Sequence, residues 1–136
     1  MKKVIITGAD GYVASRIIPY LETKYKLTLI DIDFNKTHNS ETIKFDICNS
    51  PVSELDDITK NHDAIIHLAY VRPEKTRDPN DQKEEIRSFD TEYQNILMAN
   101  KIYQSAYKND LTRVIVASSN HAADWYEHNE IHKNIN

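Results

Sequence analysis

An α/β fold with a parallel sheet covered on both faces is predicted by three observations. Short, continuously apolar segments alternate with amphipathic helices along the whole chain. The apolar segments are rich in β-branched residues, as strands buried on both faces require. The chain's only two glycines, Gly8 and Gly11, stand together where the first strand gives way to the first helix. At 136 residues the chain suits one domain, 1–136, with 124–136 as a polar tail rich in Asn and His.

The elements follow in order. Residues 2–7 form a buried strand that ends at Gly8. From Tyr12 to about Lys24, Val13, Ile17, Ile18 and Leu21 recur at helical spacing. Pro19 conflicts with that helix, because it removes the bond to Ser15 at a cost of roughly 3 kcal/mol. Residues 27–33 form a second strand ending in acids, and 42–46 a short third one. Pro51 opens a brief helix near Val52–Thr59. Residues 63–69 are a fourth strand, and 70–82, charged and carrying two prolines, a loop. A long helix then runs to about Lys108, with Ile86, Phe89, Tyr93, Ile96, Leu97, Tyr103 and Tyr107 expected along its buried side. Residues 113–118 complete a fifth strand. Right-handed crossovers arrange the strands in the order 3-2-1-4-5.

Glycine costs conformational entropy and is kept where a backbone must turn sharply or be approached closely. A chain that confines it to one strand–turn–helix therefore points to that turn. The pattern Gly8-x-x-Gly11-x-x-Ala14 is a dinucleotide fingerprint of the Rossmann-type fold. The helix N-terminus holds a pyrophosphate, Gly11 admits it, and the small Ala14 permits close packing. Asp31, at the end of the second strand, is placed to accept both adenosine ribose hydroxyls, which favours NAD over NADP; Asp33 is the alternative. In Phe45-Asp46-Ile47, the acid can accept from the adenine amino group while the next N–H reaches the ring, although a simple turn reads the same way.

The segments TGADGYVAS, LIDID, FDIC, DAIIHLA and RVIVASSNHAADWY, from Met1 to about Tyr126, resemble the extended short-chain dehydrogenases. These form the NAD-dependent epimerase/dehydratase family, acting on sugars and nucleotide sugars. The string ASSNH followed by Trp125-Tyr126 is similar to the uronate dehydrogenase branch, which oxidises an aldohexuronic acid to a lactone. The resemblance implies NAD as cofactor and a sugar or nucleotide sugar as substrate. It places Gly8, Gly11, Tyr12 and Val13 on the pyrophosphate and Asp31 on the ribose. Asp46 and Ile47 flank adenine, with Leu68, Ala69 and Tyr70 beneath the cofactor. Ser119 matches the active-site Ser/Thr, with Ser118 its neighbour, and Asn120 and His121 face the substrate. Asn95 falls where the family often carries Asn, whereas Phe89-Asp90 departs from the family's pattern.

The family's acid/base is a Tyr-x-x-x-Lys pair after the fifth strand, where the lysine lowers the tyrosine pKa. No such pair follows Ser119 here; Tyr20-x-x-x-Lys24 lies on the first helix and reads as coincidence. The chain thus resembles an N-terminal part, cut after strand five and catalytically incomplete, with a non-catalytic sensor or docking module as the alternative. An exposed fifth strand would invite pairing between copies.

Other classes fit poorly. A net charge of −4 without a basic stripe argues against nucleic acid. The apolar run near Met1 is too short for a signal peptide or a membrane span, and Cys48 is the single cysteine, so a cytoplasmic protein is expected. His128 and His132 have the spacing of zinc ligands on a helix, but the stretch lacks apolar support and reads as a solvated tail. His67, inside a strand, reads as a core histidine with one satisfied nitrogen.

Overall fold

The computed structural model describes residues 1–73, 78 and 80–119. Eight elements lie within them: β1 (Lys3–Thr7), α1 (Tyr12–Leu21), β2 (Lys26–Asp31), β3 (Glu41–Lys44), α2 (Val52–Thr59), β4 (Ala64–His67), α3 (Glu84–Lys108) and β5 (Arg113–Val116). The five strands form one parallel sheet in the order β3-β2-β1-β4-β5, as the Rossmann-type reading predicts.

Alternate residues of the central strand enter two different cores. Ile5 points to the face covered by α2 and α3, where it meets Ile30, Leu55, Ile65, Met98 and Ile102. Val4 and Ile6 point to the opposite face and pack with Ala14, Ile18, Leu27 and Leu29 beneath α1. Burial on both sides is why these strands read as continuous apolar runs. Among the described residues only α1 covers this second face, and it leaves Ile115 49% exposed at the β5 edge.

The long helix turns the other way from the sequence expectation. Ile86, Phe89, Tyr93, Ile96, Leu97, Tyr103 and Tyr107 are all exposed, and Met98, Ile102, Ser105 and Ala106 form the buried stripe. At about 100° per residue the two sets sit on opposite sides of the helix. The smaller set faces inward because α2 closes on it. Thr59 Oγ1 and Ser105 Oγ lie 2.6 Å apart, Asn109 Nδ2 donates to Thr59 Oγ1 at 2.7 Å, and Lys108 Nζ donates to Asp56 Oδ2 at 2.7 Å.

Smaller differences lie at element ends. The first helix stops at Leu21, with Pro19 exposed in its last turn and Val13 56% exposed. The second strand stops at Asp31, whose Oδ1 accepts the N–H of Ile32 at 2.8 Å and turns the chain out of the sheet. Residues 45–46 follow β3 instead of extending it.

Candidate functional site

The order 3-2-1-4-5 reverses between β1 and β4, and an open α/β sheet takes its ligands outside the carboxyl ends of the strands at such a point. Two clefts lie there and share Leu68, Ala69 and Tyr70 as a common wall.

The first cleft is built on the glycine turn. Gly8 has φ +68°, a left-handed conformation that suits glycine. A Cβ there would stand 2.6 Å from Ala69 N and 2.8 Å from Leu68 C. Gly11 N donates to Gly8 O at 3.1 Å, and Ser15 N to Gly11 O at 3.1 Å, so the turn runs directly into α1. No side chain caps that helix and no acid stands in its first turn. Its N–H groups and the positive end of its dipole are left for an anion.

Asp31 lines this cleft and is fixed there by two main-chain donors: Asp10 N at 2.9 Å to Oδ2 and Ile32 N at 2.8 Å to Oδ1. The alternative, Asp33, is paired with Lys44 Nζ at 2.5 Å, and that lysine is the main cause of its lowered pKa. It does not line the cleft. Asp46 does, and both its oxygens accept from Asn49, through N at 3.1 Å and Nδ2 at 2.8 Å. The Nδ2 bond chiefly holds its carboxyl below the usual range. Of the residues expected at the cofactor, Gly8, Gly11, Asp31, Asp46, Ile47, Leu68, Ala69 and Tyr70 meet in this one cleft. Tyr12 and Val13 sit beside it on the exposed start of α1.

The second cleft, of about 860 Å³, is lined by His67, Asn95, Ser118 and Ser119 together with Glu92 and Ile96. Asn95 clasps the chain beyond β4 from both sides: Val71 N donates to its Oδ1 at 2.8 Å, and its Nδ2 donates to Val71 O at 2.9 Å. Phe89 instead stacks on Tyr93 at the exposed side of the helix. Tyr70 Oη donates to Glu92 at 2.5 Å, which raises the phenol pKa. His67 is buried, with Nδ1 2.6 Å from Thr7 Oγ1, and burial pushes its pKa down to about 4. Tyr20 and Lys24 do form a pair, Nζ to Oη 2.5 Å, but at the exposed end of α1 and in the turn just after it, and in neither cleft. Asn120, His121, Trp125, Tyr126, His128 and His132 lie outside the described residues.

Two residues with structural authority over the first cleft escaped the sequence reading. Lys101, on α3, donates from Nζ to the carbonyls of Ile47, Cys48 and Ser50 at 2.9, 2.7 and 2.8 Å and so holds the loop after β3. Nothing local signals this, since its partners are 51 to 54 residues away. Asp10, in the turn itself, accepts from Asn35, Lys36 and His38. An acid inside a glycine turn that opens a helix is a legible oddity that could have flagged it.

The model of the NAD dependent epimerase/dehydratase family matches residues 4–135. No curated protein matches the chain. Among solved structures, a mutated uronate dehydrogenase is 32% identical with a TM-score of 0.68, over 88% of this chain and 40% of that one. A mutant uronate dehydrogenase from Agrobacterium tumefaciens, complexed with NAD, is 25% identical with a TM-score of 0.69, over 89% and 42%. A UDP-N-acetylglucosamine 4-epimerase from Methanobrevibacter ruminantium M1, in complex with UDP-N-acetylmuramic acid, is 26% identical with a TM-score of 0.66, over 90% and 39%. The chain thus spans about 40% of the length of these neighbours.

Proposed function

This chain belongs to the NAD dependent epimerase/dehydratase family, and from that premise we propose that it is the NAD-binding part of a sugar or nucleotide-sugar oxidoreductase or epimerase. The observation that carries the reading is the cradle at Gly8. The turn leaves no room for a side chain, opens onto an uncapped helix N-terminus, and faces a carboxylate already fixed by two main-chain donors. A pyrophosphate fits the first two and a ribose diol the third. NAD, when bound, supplies the hydride acceptor.

The chain's own residues then have separate tasks. The N–H groups opening α1 hold the pyrophosphate, Asp31 orients the adenosine ribose, and Asp46 with Ile47 borders the adenine. Ser119, in the adjoining cleft, donates a hydrogen bond to the reacting oxygen of the sugar, with Ser118 beside it; Asn120 and His121 contact the substrate. A hexuronate is the substrate favoured by the ASSNH string and by the uronate dehydrogenases among the structural neighbours. The general acid/base is not among these assignments, because no Tyr-x-x-x-Lys pair follows Ser119 within the 136 residues.

Calorimetric titration of the purified chain with NAD and, separately, NADP tests the reading. Saturable NAD binding, weakened at least about tenfold in Asp31→Ala, is the expected result. Binding of neither dinucleotide would overturn it.

A further inference from the structure

The wall shared by the two clefts carries a bond that contributes little to the fold. Tyr70 Oη donates to Glu92 Oε1 at 2.5 Å and joins the chain beyond β4 to α3, although both side chains are exposed, Tyr70 by 56%. A tie so open to solvent is worth little in stability. Its placement says more, because both residues line the second cleft together with Ser118 and Ser119 at the end of β5. The other polar side chains that β4 and α3 bring to this cleft are already engaged. Asn95 meets the Val71 main chain through Oδ1 and Nδ2, and His67 turns Nδ1 to Thr7. Glu92 accepts from Tyr70 on one oxygen and, at 3.3 Å, from Asn95 Nδ2 on the other. An ionised carboxylate has about four acceptor sites, so about half of them remain for a ligand.

We propose that Glu92, braced by Tyr70, is a specificity-determining residue of the second cleft and accepts a vicinal pair of ring hydroxyls from the sugar. The inference rests on the sugar oxidoreductase or epimerase reading above. Tyr70 sends its proton to Glu92, and that bond is the first cause of its raised pKa, so its oxygen turns only lone pairs to the cleft. The wall from Tyr70 to Glu92 is therefore built of acceptors and carries negative charge. Sugar hydroxyls are donors and suit it, and a vicinal pair can share one carboxylate as a ribose diol does. A carboxylate or phosphate on the sugar can only accept, so it is turned away from α3. For a hexuronate this sets the orientation: ring hydroxyls toward α3, the acid group elsewhere. The brace matters because a glutamate on an open helix face loses side-chain freedom when it binds. The Tyr70 bond restricts Glu92 beforehand, which lowers that loss.

The test is titration of the NAD-loaded chain with D-glucuronate and with each of its monodeoxy analogues, followed by amide NMR shifts. The natural chain is compared with Glu92→Gln and Tyr70→Phe, with thermal unfolding of each as a fold control. The readout is the preference for the parent sugar over the analogues, since a merely structural role would weaken all of them alike. The natural chain is expected to bind the parent about tenfold more tightly than the two analogues that lack neighbouring ring hydroxyls, the worth of roughly one charge-assisted hydrogen bond each. Glu92→Gln is expected to remove most of that preference and to leave NAD affinity unchanged, because Glu92 does not line the first cleft. Tyr70→Phe is expected to reduce the preference to about threefold, since only the brace is lost. An undiminished preference in folded Glu92→Gln overturns the inference. So does a natural chain that takes up none of these sugars; saturable NAD binding in the same sample then leaves the NAD reading standing. If NAD does not bind either, both fall.

Discussion

The two sides of the sheet's midline are finished to different degrees. On the β3-β2-β1 side, the glycine turn, Asp31 and the loop at 35–38 are bonded to one another through main-chain and side-chain donors. On the β4-β5 side, a cleft of about 860 Å³ opens beside Ser118 and Ser119, and on the α1 face Ile115 is half exposed at the β5 edge, which α1 does not reach. The first side is organised before any ligand arrives. Among the described residues, the second has a wider space with fewer bonds drawn across it. Preorganisation of this kind cuts the ordering cost of binding, so the cofactor's adenosine end should supply most of the affinity.

The change expected to break this contrast most completely is Gly8→Ala. A Cβ 2.6 Å from Ala69 N, at φ +68°, forces the turn away from β4. We expect a loss of about 4 kcal/mol or more in urea-derived stability and no measurable NAD binding.

Next comes His67, which joins the two sides through Thr7. Its folded pKa of about 4 lies below the ordinary 6.5, so the folded state favours the neutral ring. The unfolded chain takes up the proton first as pH falls. The stabilisation is therefore complete above 6.5 and is lost between 6.5 and about 4. Its full size is on the order of 3 kcal/mol. Denaturant midpoints across that window should fall steeply in the natural chain and more gently in His67→Gln. Parallel slopes would show that His67 is not the group responsible.

A smaller effect is expected from Lys101→Met, which strips three carbonyls of their cation at the edge of the organised side. A stability loss of about 2 kcal/mol should accompany weaker NAD binding, as unfolding and titration would register. The smallest belongs to Tyr70→Phe. Its bond to Glu92 is exposed, so unfolding should move by less than about 0.5 kcal/mol. A larger change would mean that the substrate-side wall is more tightly built than the contrast allows.

Much of the organised side was legible in the sequence. Two glycines in one turn, an acid closing the second strand and short apolar strands are local signals, and they led to the observed strand order and to a single cleft. That Asp31 lines the cleft and Asp33 does not was no local signal, because Lys44 from the neighbouring strand captures Asp33. Periodicity failed on α3 for a physical reason. Both sides of that helix carry apolar residues, and the larger ones, such as Phe89 and Tyr107, make the stronger pattern. The inward side is chosen by α2, through partners such as Thr59 and Asp56 that no window along α3 contains. Lys101 was invisible for the same reason of sequence distance.

Gly8 meets Leu68 and Ala69 main chain against main chain, with no side chain between them. Side chains set most spacings inside a protein, and they drift as residues are exchanged. The gap between the ends of β1 and β4 is instead gauged by atoms common to every amino acid. Residues 68 and 69 can change identity without altering that gap, whereas position 8 tolerates no side chain at all. The turn thus works as a fixed calibration block, keeping the wall shared by the two clefts in register while the residues around it remain free to vary.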